Sequence, residues 1–433
     1  MKSFREILLS DYNKKYDRDG ISGMRMAERL HTLSKIGETD DGGSHRPGFS
    51  DEEWEAKKQV AEWMKAIGME VRFDGAGNVI GKVVGKNPGL PAVISGAHLD
   101  SVPNGGHFDG PLGVLSALEV AESWVEAGVT PLRTFEIIVF TEEEGSRFQS
   151  GLLGSQAMIG GADLDVQKQL KDGAGQSFED VLHERGSSIE QFVQAKREFK
   201  DGTTYIELHI EQGKVLERED LPVGIVSGIA GPRYWRISFQ GTAGHAGNTP
   251  MTDRQDALVA ASQFVRAVYD LPTRVSDTAV ATVGKLDVSP NGSNVIPGEV
   301  TLVVDVRDIH REPRDQLFQA VKEVAQQAGD ELDVCVTFTE TLNIEPVPVA
   351  EEIKQNISSA IELEGYRAIE IASGAGHDAM VMGTQMPVGM IFVRSLKGVS
   401  HHPEEWTSLE DCVIGARVLK RYVDSVMSEE KTL

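Results

Sequence analysis

The stretch TEEEGSRF (141–148) places three glutamates in a row directly after the apolar run TFEIIVF. Like charges at the mouth of a buried strand repel one another, so a positive partner is expected there. In GAHLD, His98 and Asp100 stand two residues apart at the end of a second apolar run, so both side chains can face one way. A metal-bound histidine normally donates its other ring N–H to a carboxylate, and Asp100 is spaced for that role. Asp109 follows in the glycine-rich GGHFDG, where the backbone can bend close to a ligand. His209 lies in ELHIEQG and His401 in GVSHHPEEW. Taken singly, the His–x–Asp loop reads as a helix cap, the glutamates as a solvated run, and each histidine as structural. Together, His98, Asp109, a glutamate, His209 and His401 form a mixed imidazole and carboxylate set suited to Zn²⁺, Mn²⁺, Co²⁺ or Ni²⁺ rather than Ca²⁺ alone. Five ligands are one too many for a tetrahedral site with an open position. They fit two ions about 3.5–4 Å apart bridged by one carboxylate. A hydrolytic site also needs an unliganded carboxylate to take a proton from water. Adjacent glutamates can fill both roles only if the chain turns, because strand alternation would send them to opposite faces.

The elements that position these groups read as α/β. DEEWEAKKQVAEWMKAIG (51–68) has helical spacing and stops at Gly68, and MEVRFDGAGNVIGKVVG alternates like two strands about a glycine-rich turn. PAVISGAHLD and RTFEIIVFTEEE are β-rich runs ending in polar clusters, with the helical pattern PLGVLSALEVAESWVEAG between them. This βαβ unit predicts a mixed, largely parallel sheet covered by helices, with ligands beyond the carboxyl ends of its strands. Residues 163–200 are polar and weakly patterned and read as a surface excursion. From about residue 231 the order becomes β-α-β-β-α-β, the ferredoxin-like split βαβ arrangement. Helix and strand patterns of the first kind then resume. The expected organisation is a discontinuous catalytic domain, 1–229 with 345–433, interrupted by an α+β lid and dimerisation domain at 230–344. Linkers around 228–232 and 343–348 predict hinge closure.

The chain of 433 residues carries a formal charge of −24, which disfavours nucleic acid and anionic membrane as partners. Its N-terminal stretch has no apolar signal region, and no run approaches a membrane span. Two distant cysteines, Cys335 and Cys412, exclude a disulfide framework and point to a reducing cytoplasm.

In sequence these motifs resemble the dinuclear metal amidohydrolases that include N-carbamoyl-L-amino-acid hydrolases, ureidopropionases and allantoate amidohydrolases, distant relatives of aminoacylases and carboxypeptidase G-type peptidases. The resemblance runs from GAHLDSV and NGGHFDG through EEEGSRF, ELHIEQG and GHAGNTPM to SGAGHDA and GVSHHPEE. It implies two divalent ions, with His98 and His209 on different metals, Glu144 and His401 likewise, and Asp109 bridging. It makes Glu143 the general base and Asp100 the carboxylate behind His98, and leaves Glu142 without a task. It also implies that His245, Asn294 of NGSNVIPG and Arg307 of VDVRD reach the active site from the partner subunit of a homodimer. Arg307 would clamp a substrate carboxylate bidentately, His245 would stabilise an oxyanion and Asn294 would donate to the substrate. Without the resemblance, Arg307 reads as a strand-edge salt bridge and His245 as a loop residue. Gln212 is a candidate contact to the ureido group, and Gly376 would let the 373–379 loop approach closely. His377 is either a partner of the site or structural. The implied reaction is hydrolysis of the ureido C–N bond of N-carbamoyl-L-amino acids. Allantoate and N-carbamoyl-β-alanine are the alternatives. Allantoate-type members carry paired arginines where this chain has GPRYW, with Pro232 before Arg233.

Overall fold

The computed structural model describes residues 3–428, so residues 1–2 and 429–433 of the expected catalytic domain lie outside the described residues. The chain divides into two compact units, Met1–Val226 with Val349–Ile371 and His377–Leu433, and Ser227–Pro348 with Ala372–Gly376. The second unit begins earlier and ends later than the insert expected from sequence, and it takes in a short segment further on.

Four strands at the centre of the first unit are parallel neighbours, in the order Phe135–Phe140, Val93–His98, Thr204–Ile210 and Val388–Val393. Antiparallel strands flank them: Val79–Val83 and Glu70–Phe73 on one side, Val223–Ile229 on the other. Every residue of the four central strands is buried, which is why they read as mainly apolar, non-alternating runs. Parallel neighbours need a crossover, and the helix Pro111–Ala127 supplies the first. It ends at Gly128, whose φ of 63° permits the left-handed cap. Its Gly113 lies so close to the sheet that a Cβ there would come within 2.3 Å of the Leu208 carbonyl oxygen. Leu115 and Leu118 of this helix share one core with Val413 and Tyr422 of the helix Leu409–Ser428 and with the sheet. The carboxyl ends of three adjacent parallel strands therefore carry His98, the glutamate turn and His209 at one edge.

The 163–200 segment departs from the surface excursion expected of it. Phe178, Leu182, Ile189 and Phe192 close with Phe49 and Phe148 into a second buried cluster. Its helices, of four, seven and five residues, are too short to show a period in the sequence.

The second unit is a four-stranded antiparallel sheet in the order Cys335–Asn343, Arg233–Gln240, Glu299–Arg307 and Val280–Ser289. Val300, Leu302, Val304 and Val306 alternate inward to a core shared with the helices Ala257–Val268 and Arg311–Asp330. The chain order β-α-β-β-α-β with this strand order is the split βαβ arrangement. Among the described residues, no helix is long and apolar enough to cross a membrane. Cys335 is exposed and Cys412 buried, and both are free.

Candidate active site

His98 ends its strand with its ring buried, and Nδ1 lies 3.1 Å from the backbone carbonyl of Asp100. A carbonyl can only accept, so Nδ1 carries the proton and Nε2 presents a lone pair. His209 repeats the arrangement, with Nδ1 2.9 Å from the Ile210 carbonyl. Both Nε2 atoms face Asp109 Oδ1, at 3.4 Å from His98 and 3.1 Å from His209. The two rings are near parallel, their centroids 6.0 Å apart. Asp109 reaches this point from the glycine-rich loop, where Gly110 has φ 82° and a Cβ would stand 2.6 Å from the His98 ring. On the other side of the same carboxylate, Oδ2 lies 3.5 Å from His401 Nε2, which is itself 3.3 Å from Glu144 Oε2. The donor atoms group differently from the expectation that His98 and His209 serve different ions. Their strands are parallel neighbours, so both imidazoles fall on Oδ1, while His401 Nε2 meets both Oδ2 and Glu144.

The glutamate turn leaves strand geometry at once. The strand ends at Phe140, and Glu142 has φ 50°, which brings Glu143 and Glu144 round to one side. Asp100 fixes this turn, its Oδ1 accepting the Glu143 N–H and its Oδ2 the Glu144 N–H, each at 3.1 Å. Glu142 is buried and folds back, its Oε1 accepting the N–H groups of Arg147 at 2.9 Å and Phe148 at 3.2 Å. Glu143 Oε2 lies 3.8 Å from His98 Nε2, beside the ligand groups.

Charge tells the same story. Burial, then the neighbouring carboxylates, push Glu143 and Glu144 well above the usual carboxylate range. Burial would lower His98, but Glu143, Asp100 and Asp109 overcome it and raise it. Burial alone would also raise Asp100, yet the hydrogen bonds and charge around it, from His98 and the turn amides, hold it down. The pocket is over-supplied with negative groups and needs cations. The donor set fits divalent ions, with His98, Asp109 and His209 forming one group and Asp109, Glu144 and His401 another. Metal bonds of about 2.0–2.2 Å in tetrahedral geometry put neighbouring ligand atoms about 3.4 Å apart. The separations of 3.1, 3.3, 3.4 and 3.5 Å found here are of that size.

The sequence matches peptidase family M20/M25/M40 over residues 94–425. The chain belongs to that family. It is therefore a hydrolase of a metal-dependent kind. It is 43% identical over 401 residues to the N-carbamoyl-L-amino acid amidohydrolase of Geobacillus stearothermophilus, covering 92% of this chain and 97% of that protein. It is 35% identical over 393 residues to the allantoate amidohydrolase of Escherichia coli strain K12, covering 90% and 95%. A hydantoinase/carbamoylase-family amidase from Burkholderia multivorans superposes with a TM-score of 0.87 at 33% identity, covering 95% of this chain and 99% of that one.

Around these groups stand two residues that the sequence reading named, Gln212 and His377, and two that it did not, Ser400 and Glu405. The amide of Gln212 donates to Asp109 Oδ2 at 2.7 Å, from a backbone with φ 54°. His377 is buried with its ring 4.5 Å from that of His209, edge to face. Ser400 and Glu405, on either side of His401, contact the Asp109 loop. For Ser400 and Glu405 the sequence signal was their closeness to His401 in GVSHHPEEW.

In the second unit, His245 pairs across a two-residue ribbon with Val295, and the Ala246 N–H donates to the Asn294 carbonyl at 3.0 Å. The structure thus brings His245 and Asn294 together, both exposed. His245 Nδ1 accepts from the Gly247 and Asn248 amides, each at 3.1 Å, which leaves the neutral ring with its proton on Nε2. Arg307 keeps separate company. It donates to Asp305 through Nε and Nη2, to Tyr234 through Nη2 at 3.3 Å and to the Gly374 carbonyl through Nη1 at 2.6 Å. Of the five N–H groups of a guanidinium, one on Nη1 remains, so a bidentate clamp requires Tyr234 or Gly374 to let go. Gly376 is open, since a Cβ there would meet no protein atom within 4 Å.

Proposed function

We propose that this M20-family hydrolase cleaves the ureido C–N bond of N-carbamoyl-L-amino acids, giving the L-amino acid, carbon dioxide and ammonia. The reaction class rests on one observation, the Asp109 carboxylate shared by two donor groups with Glu143 beside them. The substrate class rests on the relatives' names.

In this reading His98, Asp109 and His209 hold one divalent ion, and Asp109, Glu144 and His401 hold a second, chosen from Zn²⁺, Mn²⁺, Co²⁺ and Ni²⁺. Ions bound there supply Lewis acidity toward a carbonyl oxygen and lower the pKa of water. Glu143 takes the proton from the attacking water and delivers it to the leaving nitrogen. His245 donates its Nε2–H to the developing oxyanion, Asn294 donates to the substrate, and Arg307 meets its carboxylate. Gln212 and the loop bearing Gly376 line the ureido end. The working form is a cytoplasmic homodimer joined through the second unit, the lid. The exposed apolar residues Tyr269, Val280 and Leu286, the last two on the edge strand Val280–Ser289, support that pairing.

Allantoate is the second reading, supported by 35% identity to two allantoate amidohydrolases. Ammonia release separates the two. The enzyme, stripped of metal and reloaded with Mn²⁺, Co²⁺, Ni²⁺ or Zn²⁺, is offered N-carbamoyl-L- and D-amino acids, N-carbamoyl-β-alanine, allantoate and dipeptides. Highest kcat/KM on N-carbamoyl-L-amino acids is the expected result, and preference for any other member of the panel rejects the substrate assignment.

A further inference from the structure

Glu405 lies in the loop that carries His401, is 3% exposed, and directs both carboxylate oxygens at the loops around the shared carboxylate. Its Oε1 accepts the N–H groups of Phe108 at 2.9 Å and Asp109 at 3.0 Å. Its Oε2 accepts the hydroxyl of Ser400 at 2.9 Å, and that hydroxyl also lies 2.7 Å from Asp109 Oδ2. Ser400 directly precedes His401, so one side chain ties the backbone of Asp109 to the backbone of His401. The opposing loop is shaped to receive it, because a Cβ on Gly106 would stand 2.1 Å from Glu405 Oε1. The neighbouring Trp406 packs its ring 5.6 Å from that of Phe108 and closes the loop by accepting the Leu396 N–H at 2.8 Å.

We propose that Glu405 is a positioning residue that chiefly sets one of the two ion positions, the one framed by Asp109 Oδ2, Glu144 and His401, and reaches the other only through the Asp109 backbone. The inference rests on the two-ion reading above. His98 and His209 sit at strand ends with Nδ1 bound to carbonyls of their own segments, so their orientation does not pass through Glu405. His401 differs. Its side chain is half exposed, its φ is 55°, and its ring's ion-pair partners are the Asp109 and Glu144 carboxylates themselves. Its place therefore depends on the loop backbone, and that backbone hangs on Ser400 and Glu405. Removing the carboxylate deletes three hydrogen bonds and unhooks the loops from each other.

The test is calorimetric titration of the metal-stripped, full-length protein with Zn²⁺, with bound zinc per chain counted by mass spectrometry. Wild type is expected to take two ions. Glu405→Ala should keep one affinity within about threefold and weaken the other about 10- to 100-fold, the usual cost of losing a group that orients a ligand. Glu405→Gln should retain both, since the amide still accepts the two backbone N–H groups and can donate to Ser400. Gly106→Ala should reproduce the selective loss from the opposite loop, which keeps the test decisive if Glu405→Ala fails to fold. Two unchanged affinities in the alanine variants, or equal weakening of both, overturn the proposal. A wild type that binds a single ion would instead fail the two-ion reading itself.

Discussion

Replacing Asp100 with asparagine removes one of the two acceptors that hold the glutamate turn. The carboxylate is fully buried, and its two oxygens each take one amide, from Glu143 and Glu144, at 3.1 Å. The carboxamide keeps one oxygen and sets an NH₂ group against the other amide. One hydrogen bond to a charged acceptor is lost and a buried N–H is left unpaired, together about 2–4 kcal/mol. Part of that cost should appear as reduced stability in chemical denaturation. The rest should appear as displacement of Glu143, lowering kcat about 10- to 100-fold, since each factor of ten is about 1.4 kcal/mol. The His98 ring is held by the backbone carbonyl of Asp100, which the variant retains, so the affinity of the ion position at His98 and His209 should hold. Stability within about 0.5 kcal/mol of wild type and kcat within about twofold would refute this account of Asp100.

Two other perturbations probe the scaffold. His107 is buried, its Nε2 donates to the Gly42 carbonyl at 3.0 Å, and burial followed by the Arg46 charge lowers its pKa to about 4. A folded pKa below the ordinary value of about 6.5 means stability that is full above that pH and lost as pH falls toward about 4, some 3 kcal/mol in all. His107→Gln keeps a donor for Gly42 without titrating, so the unfolding free-energy difference between wild type and variant should shrink on acidification, and a pH-independent difference would count against it. Gly113→Ala puts a Cβ 2.3 Å from the Leu208 carbonyl and 2.9 Å from the Ala97 Cβ, and should cost about 1–3 kcal/mol by prising the helix off the sheet. An undiminished melting temperature would show that the helix yields without cost.

How much of this was legible beforehand depended on range. Mainly apolar strands leading to His98, the glutamates and His209 announce a parallel sheet edge, because burial on both faces leaves a run that even a single sequence displays. Pairing across the sheet is not displayed. That His98 and His209 share Oδ1 follows from the adjacency of their strands, and strand order is a property of the whole chain. Asp100 was expected behind His98, and its carboxylate does lie 3.5 Å from the His98 Nδ1; what spacing did not show is that it also serves the turn, because the left-handed Glu142 brings two amides within reach. Glu142 itself turned out to fold back onto the Arg147 and Phe148 amides, a contact that no spacing rule encodes. Arg307, which apart from the resemblance reads as a strand-edge salt bridge in VDVRD, does pair with Asp305 two residues away, which occupies one edge of it.

The most direct test of the central claim is the Glu143→Gln variant, measured for bound metal and for turnover of an N-carbamoyl-L-amino acid. Glu143 contacts the site without being needed to frame either donor group. The account requires both ions to remain bound, KM to change little, and kcat to fall by about 10²- to 10⁴-fold, the range for loss of a general base. A variant that keeps a tenth or more of the wild-type kcat, or one that loses an ion, would contradict the assignment of Glu143 as the proton carrier.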